Sequence, residues 1–144
     1  MFKLGIDHLT AGLALAIARG AEDIEISDVA RENVKASEAI VVEIAAGDRT
    51  VYGINTGFGP LCDTKISPKD TKELQRKILL SHSVGTGEPI SKELSKLMLI
   101  LKAHALCKGF SGVSEAVVDR IVFQIKNDII PVVPKQGSVG ASGD

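Results

Sequence analysis

Apolar and small residues recur at three- and four-residue intervals over most of the chain, a spacing that predicts helices. The longest such stretch predicts a helix from about Asp28 to Ala46, with Gly47 at the position of a terminating glycine. A second runs from about Pro68 to Ser83. Three more are expected behind the candidate N-caps Thr10, Ser91 and Ser111. The pattern therefore predicts a mainly α fold with about five helices.

Two of these helices carry marked apolar faces. Residues at helical spacing form a stripe on the fourth helix: Leu94, Leu97, Met98, Leu101 and Ala105. A similar face on the fifth helix consists of Val113, Val117, Val118, Ile121, Val122 and Ile125, and we expect Asn127 to end that helix. His104 lies within the fourth helix, where a core or interface role is expected.

The segments between the helices are long and rich in glycine. Residues 50–67 contain three glycines and Pro60, which break helix and predict a long ordered loop. Phe2 to Ile6 is predicted as a short strand. Ile129 to Pro134 is predicted to be extended, because each proline disfavours helix in the residue before it. Strand is accordingly a minor part of the expected fold.

Composition narrows the class of protein. The chain has 144 residues, the size of one domain, with 44% hydrophobic but only 3% aromatic residues, so the core must be aliphatic. A net charge of −1 argues against nucleic-acid and anionic-membrane partners. Cys62 and Cys107 lie far apart, and the chain has neither a signal-peptide pattern nor a run long enough to cross a bilayer. We expect one cytoplasmic domain over residues 1–144.

The last residues, Gly137 to Asp144, contain a triplet that can do backbone chemistry. Loss of water from Ser142 would give a dehydroalanine, and attack of the Gly143 nitrogen on the Ala141 carbonyl would close a five-membered imidazolone ring. The product is an electrophile, which ordinary side chains do not supply. A flexible loop is the simpler interpretation of the triplet alone. A phosphate cradle is disfavoured because the segment has no P-loop ending.

Two further residues could take part in chemistry. Tyr52 is the only tyrosine and lies in a glycine-rich stretch; a buried tyrosine in a turn is the simpler alternative to a base whose pKa is lowered by nearby positive charge. His82 follows a helical segment, where it could stabilise the helix end as a cation or recognise a polar or imidazole-bearing ligand. The histidine spacing has no metal-site signature, and no metal is expected.

Three segments in this order resemble the aromatic amino acid ammonia-lyase family. They are Tyr52–Gly59 (YGINTGFG), Leu80-Ser81-His82 leading to Gly85, and Gly137–Asp144 (GSVGASGD). The resemblance covers nearly the whole chain and implies the N-terminal part of the helical, fumarase/aspartase-like fold. Within the family, the pair Ser81-His82 is similar to that of the histidine enzymes, which convert L-histidine to trans-urocanate and ammonia.

The resemblance implies a role for each matching residue. Ala141, Ser142 and Gly143 would form 4-methylidene-imidazol-5-one, the family's built-in cofactor, with no external cofactor. Tyr52 matches the catalytic tyrosine that helps to remove the β-proton and contacts substrate, and His82 matches the histidine that contacts the substrate imidazole. Gly137, Gly140 and the loop around Asn55 would shape the pocket.

The family's chains continue well beyond this motif and assemble as homotetramers. We therefore expect this chain to be an N-terminal, active-site-bearing piece of a longer enzyme, inactive alone and functional only with a downstream C-terminal segment. Two alternatives remain. One is a phenylalanine or tyrosine ammonia-lyase or aminomutase of the same family; the other is a catalytically inactive helical assembly subunit.

Overall fold

The computed structural model describes residues 1–57, 59 and 62–137, and within them the chain is mainly helical. The five helices of this part are α1 (Ala11–Ala18), α2 (Asp28–Ala46), α3 (Pro68–His82), α4 (Lys92–Leu106) and α5 (Glu115–Lys126). The strands there are short: β1 (Phe2–Lys3), β2 (Ile24–Glu25), β3 (Thr86–Pro89) and β4 (Pro134–Gln136). The expectation of five helices with minor strand is confirmed. None of the described helices is long and apolar enough to span a membrane.

Local capping fixes several helix starts where the sequence predicts them. The Thr10 hydroxyl accepts a hydrogen bond from the Leu13 amide at 3.2 Å, and Ser91 accepts one from the Leu94 amide at 3.3 Å. Each bond satisfies an amide that has no partner within the helix. At the other end of α5, Asn127 is the C-cap, as expected.

The start of α5 differs from the prediction, which placed the cap at Ser111. The N-cap is Ser114, and its side chain makes no capping hydrogen bond. Gly112 has a φ of +65°, and its amide donates to the Ser37 hydroxyl of α2 at 2.8 Å. Because Gly112 is left-handed and bound to the Ser37 hydroxyl, residues 112–114 stay outside the helix. α5 therefore begins three residues later than the local sequence pattern predicts.

The chain divides into two compact units, of which the first comprises residues 1–39 and 89–133. In this unit β1 and β2 pair in parallel, with Phe2 opposite Ile24, and α4 packs against both α1 and α5. Its core is almost entirely aliphatic, as composition predicts: it includes Leu4, Ile17, Ile24, Val34, Ile100, Leu106, Val118 and Ile125.

The buried face of α4 is not its most apolar stripe. Leu94, Met98 and Leu101 are each more than half exposed in this chain. The buried positions are instead Ser95, Ile100, Ala103 and Leu106. Ser95 is tolerated inside because its hydroxyl donates to the carbonyl of Pro131 at 2.6 Å, which also holds the extended segment after α5 against α4.

The first turn of the chain lies very close to the end of α4. Gly5 has a φ of +79°, and a Cβ at that position would lie 2.4 Å from the carbonyl oxygen of Cys107. The Gly5 amide donates to Nδ1 of His104 at 3.1 Å, and the imidazole lies 5.6 Å from the Phe2 ring. His104 is thus a half-buried packing residue, in keeping with the expected core role.

The second unit comprises residues 40–88 and 134–144. Its described part contains the end of α2, the loop of residues 47–67, α3, and the pairing of β3 with β4. The loop is ordered by a bridge between Thr56 and Lys65 and by the Lys65 ammonium, which donates to the Gly47 carbonyl at 3.2 Å and pairs with Asp48 at 3.0 Å. The single domain expected over residues 1–144 stays a prediction.

Candidate functional site

Tyr52 lies in a tight turn that begins a few residues after α2 ends. The Val51 carbonyl accepts from the amides of Ile54 at 3.1 Å and Asn55 at 3.2 Å. Gly53 has a φ of +78°, a left-handed conformation that a residue with a Cβ adopts only with strain. The Tyr52 side chain is 61% exposed, so the buried tyrosine considered from the sequence is not what the structure has.

An open cleft with a volume of about 520 Å³ lies beside this turn. Its described lining consists of Thr50, Tyr52, Cys62 and Asp63. The cleft gives a small molecule access to the phenol. A tyrosine that acts as a base needs positive charge nearby, and these lining residues include a carboxylate and no cation.

Asn55 is the residue on which the geometry of the turn depends. Its side chain is 4% exposed, and its Oδ1 accepts from the Val51 amide at 2.9 Å. Its Nδ2 donates to the carbonyls of Arg49 at 2.9 Å and Ile44 at 3.4 Å. From the sequence, Asn55 was expected only to belong to a loop that shapes the pocket. The signal that could have found it is the tendency of asparagine to bond nearby backbone groups in turns.

His82 is the last residue of α3 and is exposed. Its Nδ1 lies 3.0 Å from the Ile78 carbonyl oxygen and 2.8 Å from the Ser81 hydroxyl. Because a carbonyl can only accept, the Ile78 contact is satisfied when Nδ1 carries the proton. If Nδ1 carries the only ring proton, Nε2 is an acceptor that can bind an N–H donor. The Ile78 and Ser81 contacts hold the ring at the end of α3.

The pairing of β3 with β4 brings two of the sequence motifs near each other. β3 begins four residues after His82, and β4 leads directly to Gly137. Contact is close, because a Cβ added at Gly85 would lie 2.9 Å from Cγ of Pro134. The segment that follows His82 thus lies against the segment that leads to Gly137. The sequence did not predict this strand pair.

The remaining predicted site residues are only partly located. Gly140, Ala141, Ser142 and Gly143 lie outside the described residues. His82 is not among the described residues that line the cleft beside Tyr52. Across the described part of the chain, no group of three histidine, cysteine or acidic side chains is placed to hold a metal ion.

Comparison with known proteins identifies close relatives. The family described as aromatic amino acid lyase matches residues 9–144. A histidine ammonia-lyase of Stigmatella aurantiaca is 42% identical over 144 residues, which cover 99% of this chain and 28% of that protein. The chain thus spans less than a third of the length of this relative.

Two solved structures resemble this chain in fold to a similar degree but differ in how much sequence they share with it. The histidine ammonia-lyase of Trypanosoma cruzi superimposes with a TM-score of 0.83 at 36% identity, covering 99% of this chain and 27% of that one. A tyrosine aminomutase of Streptomyces globisporus has a TM-score of 0.88 at 23% identity, covering 96% of this chain and 26% of that one. At 23% identity the aminomutase shows the likeness of fold alone.

Proposed function

We propose that this chain, which belongs to the aromatic amino acid lyase family and has its helical ammonia-lyase fold, acts in the deamination of L-histidine. Its histidine ammonia-lyase relatives are carbon–nitrogen lyases. In the proposed reaction the bond between the α-carbon and the amine breaks, a β-proton is removed, and a carbon–carbon double bond forms. The products are trans-urocanate and ammonia.

One observation carries the choice of histidine: 42% identity to a histidine ammonia-lyase across 99% of this chain. Among the solved structures, the Trypanosoma cruzi histidine ammonia-lyase also shares more sequence with this chain than the tyrosine aminomutase does, 36% against 23%, although the aminomutase has the higher TM-score. The pair Ser81-His82, whose imidazole is held at the end of α3, supports the same substrate. Phenylalanine and tyrosine lyases remain the alternatives to exclude.

The residues of the terminal triplet fit the family's intrinsic cofactor in their chemistry. Ala141 offers the carbonyl, Ser142 the hydroxyl that leaves as water, and Gly143 an amide nitrogen without a side chain to obstruct it. The resulting 4-methylidene-imidazol-5-one supplies an electrophile that makes the substrate amine a better leaving group. We propose that these three residues form it.

The described residues then have separate tasks. Tyr52, at the open cleft, is proposed to accept the β-proton. His82 is proposed to hold the substrate imidazole by accepting its N–H at Nε2, which fixes the β-carbon relative to the base. Binding and proton removal thus depend on different elements, α3 and the turn after α2.

The active protein is proposed to include more than these residues. The chain spans 28% of its Stigmatella relative, so further pocket residues would come from a downstream C-terminal segment and from neighbouring subunits of a homotetramer. We propose that the protein is cytoplasmic, which agrees with two cysteines that form no disulfide.

The test uses the complete active assembly that contains this chain. Deamination of histidine, phenylalanine and tyrosine is compared by the absorbance of the unsaturated acid that each substrate would give. Replacement His82→Leu should lower kcat/KM for histidine about 10- to 100-fold, the loss expected when one hydrogen bond to a polar substrate group is left unmade. His8→Leu, at an exposed histidine in the other unit, is the matched control and should leave kcat/KM unchanged.

Intact-mass measurement tests the cofactor separately. A peptide spanning residues 141–143 should weigh less than its sequence by two water molecules. Full mass at this triplet in an active preparation would refute the lyase chemistry. Full activity of His82→Leu, or preference for phenylalanine or tyrosine, would refute histidine as the substrate.

A further inference from the structure

The position of the Tyr52 phenol is not set by burial. With 61% of the residue exposed, packing contacts cannot restrict its side chain as they would in a core. The backbone of residues 51–55 sets where the Tyr52 side chain leaves the main chain. A base that must meet a substrate carbon at a defined distance depends on how rigid this turn is.

The side chain of Asn55 closes that turn from one side while its backbone closes it from the other. Asn55 Oδ1 accepts from the Val51 amide at 2.9 Å, and the Asn55 amide donates to the Val51 carbonyl at 3.2 Å. These two hydrogen bonds join the same pair of residues in opposite directions. Tyr52, Gly53 and Ile54 are enclosed between them.

The same side chain also attaches the turn to the rest of its unit. Nδ2 donates to the Arg49 carbonyl at 2.9 Å and reaches the Ile44 carbonyl of α2 at 3.4 Å. The backbone carbonyl of Asn55 also accepts a hydrogen bond from the Ile66 amide, at 2.8 Å, on the far side of the loop. These hydrogen bonds join the turn both to the end of α2 and to the far side of the loop.

We propose that Asn55 is a positioning residue for Tyr52: its buried amide holds the five-residue turn from which the phenol reaches the substrate. The proposal rests on the role proposed above for Tyr52. An amide is needed because the site presents one backbone donor and two backbone acceptors at once. Alanine satisfies none of them, and an ionised carboxylate satisfies the donor but repels both carbonyls.

The experiment compares Asn55→Ala, Asn55→Asp and Tyr52→Phe, and the double variant Asn55→Ala/Tyr52→Phe, in the complete active assembly. Rates are expressed per active site, counted by imidazolone absorbance, so that loss of folded protein does not mimic loss of catalysis. Asn55→Ala should lower kcat about 10- to 100-fold, the size expected for a displaced reacting group. In the Tyr52→Phe background the same change should lower kcat less than about threefold, because the group it positions is already gone.

The pH dependence gives a second, independent readout. Burial raises the pKa of a carboxyl, so the Asp introduced by Asn55→Asp becomes protonated as pH falls and can then donate to the Arg49 carbonyl. The kcat of this variant, divided by that of the wild type at each pH, should rise as pH is lowered from about 8 to about 6. The ratio for Asn55→Ala should stay flat.

Asn127→Ala is the matched control, because it removes an asparagine hydrogen bond to a backbone carbonyl in the other unit. It should leave kcat unchanged. Equal losses from Asn55→Ala in both backgrounds would overturn the positioning role while leaving histidine deamination intact. Full activity of Tyr52→Phe would overturn the proposed base and, with it, this inference.

Discussion

The replacement Gly5→Ala tests whether the N-terminal turn lies against the end of α4 as closely as the structure indicates. Gly5 has a φ of +79°, and a Cβ there would lie 2.4 Å from the carbonyl oxygen and 2.5 Å from the carbonyl carbon of Cys107. Real Cβ atoms do not come this near to backbone, so β1 or α4 would have to move. Cys107 and Leu4, on either side of the contact, are fully buried.

Two effects add to the expected loss of stability. A left-handed φ costs an L-residue about 1–2 kcal/mol. Forcing extra atoms into a packed core costs about a further 1–3 kcal/mol. We therefore expect Gly5→Ala to lower the free energy of unfolding by about 2–5 kcal/mol, a large part of the 5–15 kcal/mol typical of a domain.

The matched control is Gly20→Ala. Gly20 has a φ of +75°, but a Cβ there would meet nothing within 4 Å. This variant should therefore show the left-handed strain alone, about 1–2 kcal/mol. The difference between the two variants isolates the contact with Cys107.

Urea unfolding of the purified chain, followed by circular dichroism at 222 nm, measures both losses. With a typical m value of 1–3 kcal/mol/M, the contact should move the midpoint of Gly5→Ala about 1 M below that of Gly20→Ala. Equal midpoints for the two variants would show that the close approach of Gly5 to Cys107 is wrong.

Three further outcomes are expected. Burial, with a smaller contribution from Lys108, lowers the pKa of His104 below its ordinary value. The contribution of the neutral imidazole to the free energy of unfolding should therefore be fully present above about pH 6.5 and be lost as pH falls toward the lower pKa of the folded state. A urea midpoint independent of pH between about 7.5 and 5 would contradict this. Burial raises the pKa of the Cys107 thiol to about 11, so a disulfide reagent at neutral pH should modify Cys62 in the native chain and reach Cys107 only after unfolding. Arg31 pairs with Asp119 at 3.0 Å, and about a third of the Arg31 side chain is exposed to solvent. A double-mutant cycle with Arg31→Met and Asp119→Asn should therefore give a coupling free energy of at most about 1 kcal/mol that vanishes in 1 M salt. A larger coupling that persists in salt would contradict a solvent-screened ion pair.

For the candidate site residues, the sequence identified residue types and motifs but not their surroundings. Tyr52 and His82 were singled out because their neighbours in the chain resemble those of a family, and the family is confirmed. Whether the tyrosine was buried or exposed could not be read from a glycine-rich stretch, since both arrangements use the same residues. The contact between Nδ1 of His82 and the Ile78 carbonyl likewise could not be read from the sequence, because only the folded helix end brings the two atoms together.

The sequence by itself determined the helices, because capping and termination act over a few residues. Thr10 and Ser91 each bond an amide three positions ahead, so their effect is written locally. Ser111 failed as a cap because a hydroxyl more than seventy residues away holds its neighbour Gly112 outside the helix.

Only the tertiary structure decided which surfaces meet. The pairing of β3 with β4 joins segments that lie 45 residues or more apart and carry no pairing signal of their own. The burial of Ser95 in place of the apolar stripe on α4 depends on a carbonyl supplied by Pro131. Which strands pair and which helix face is buried depend on the free energy of packing segments that are far apart in the chain. No local pattern of residues encodes that free energy.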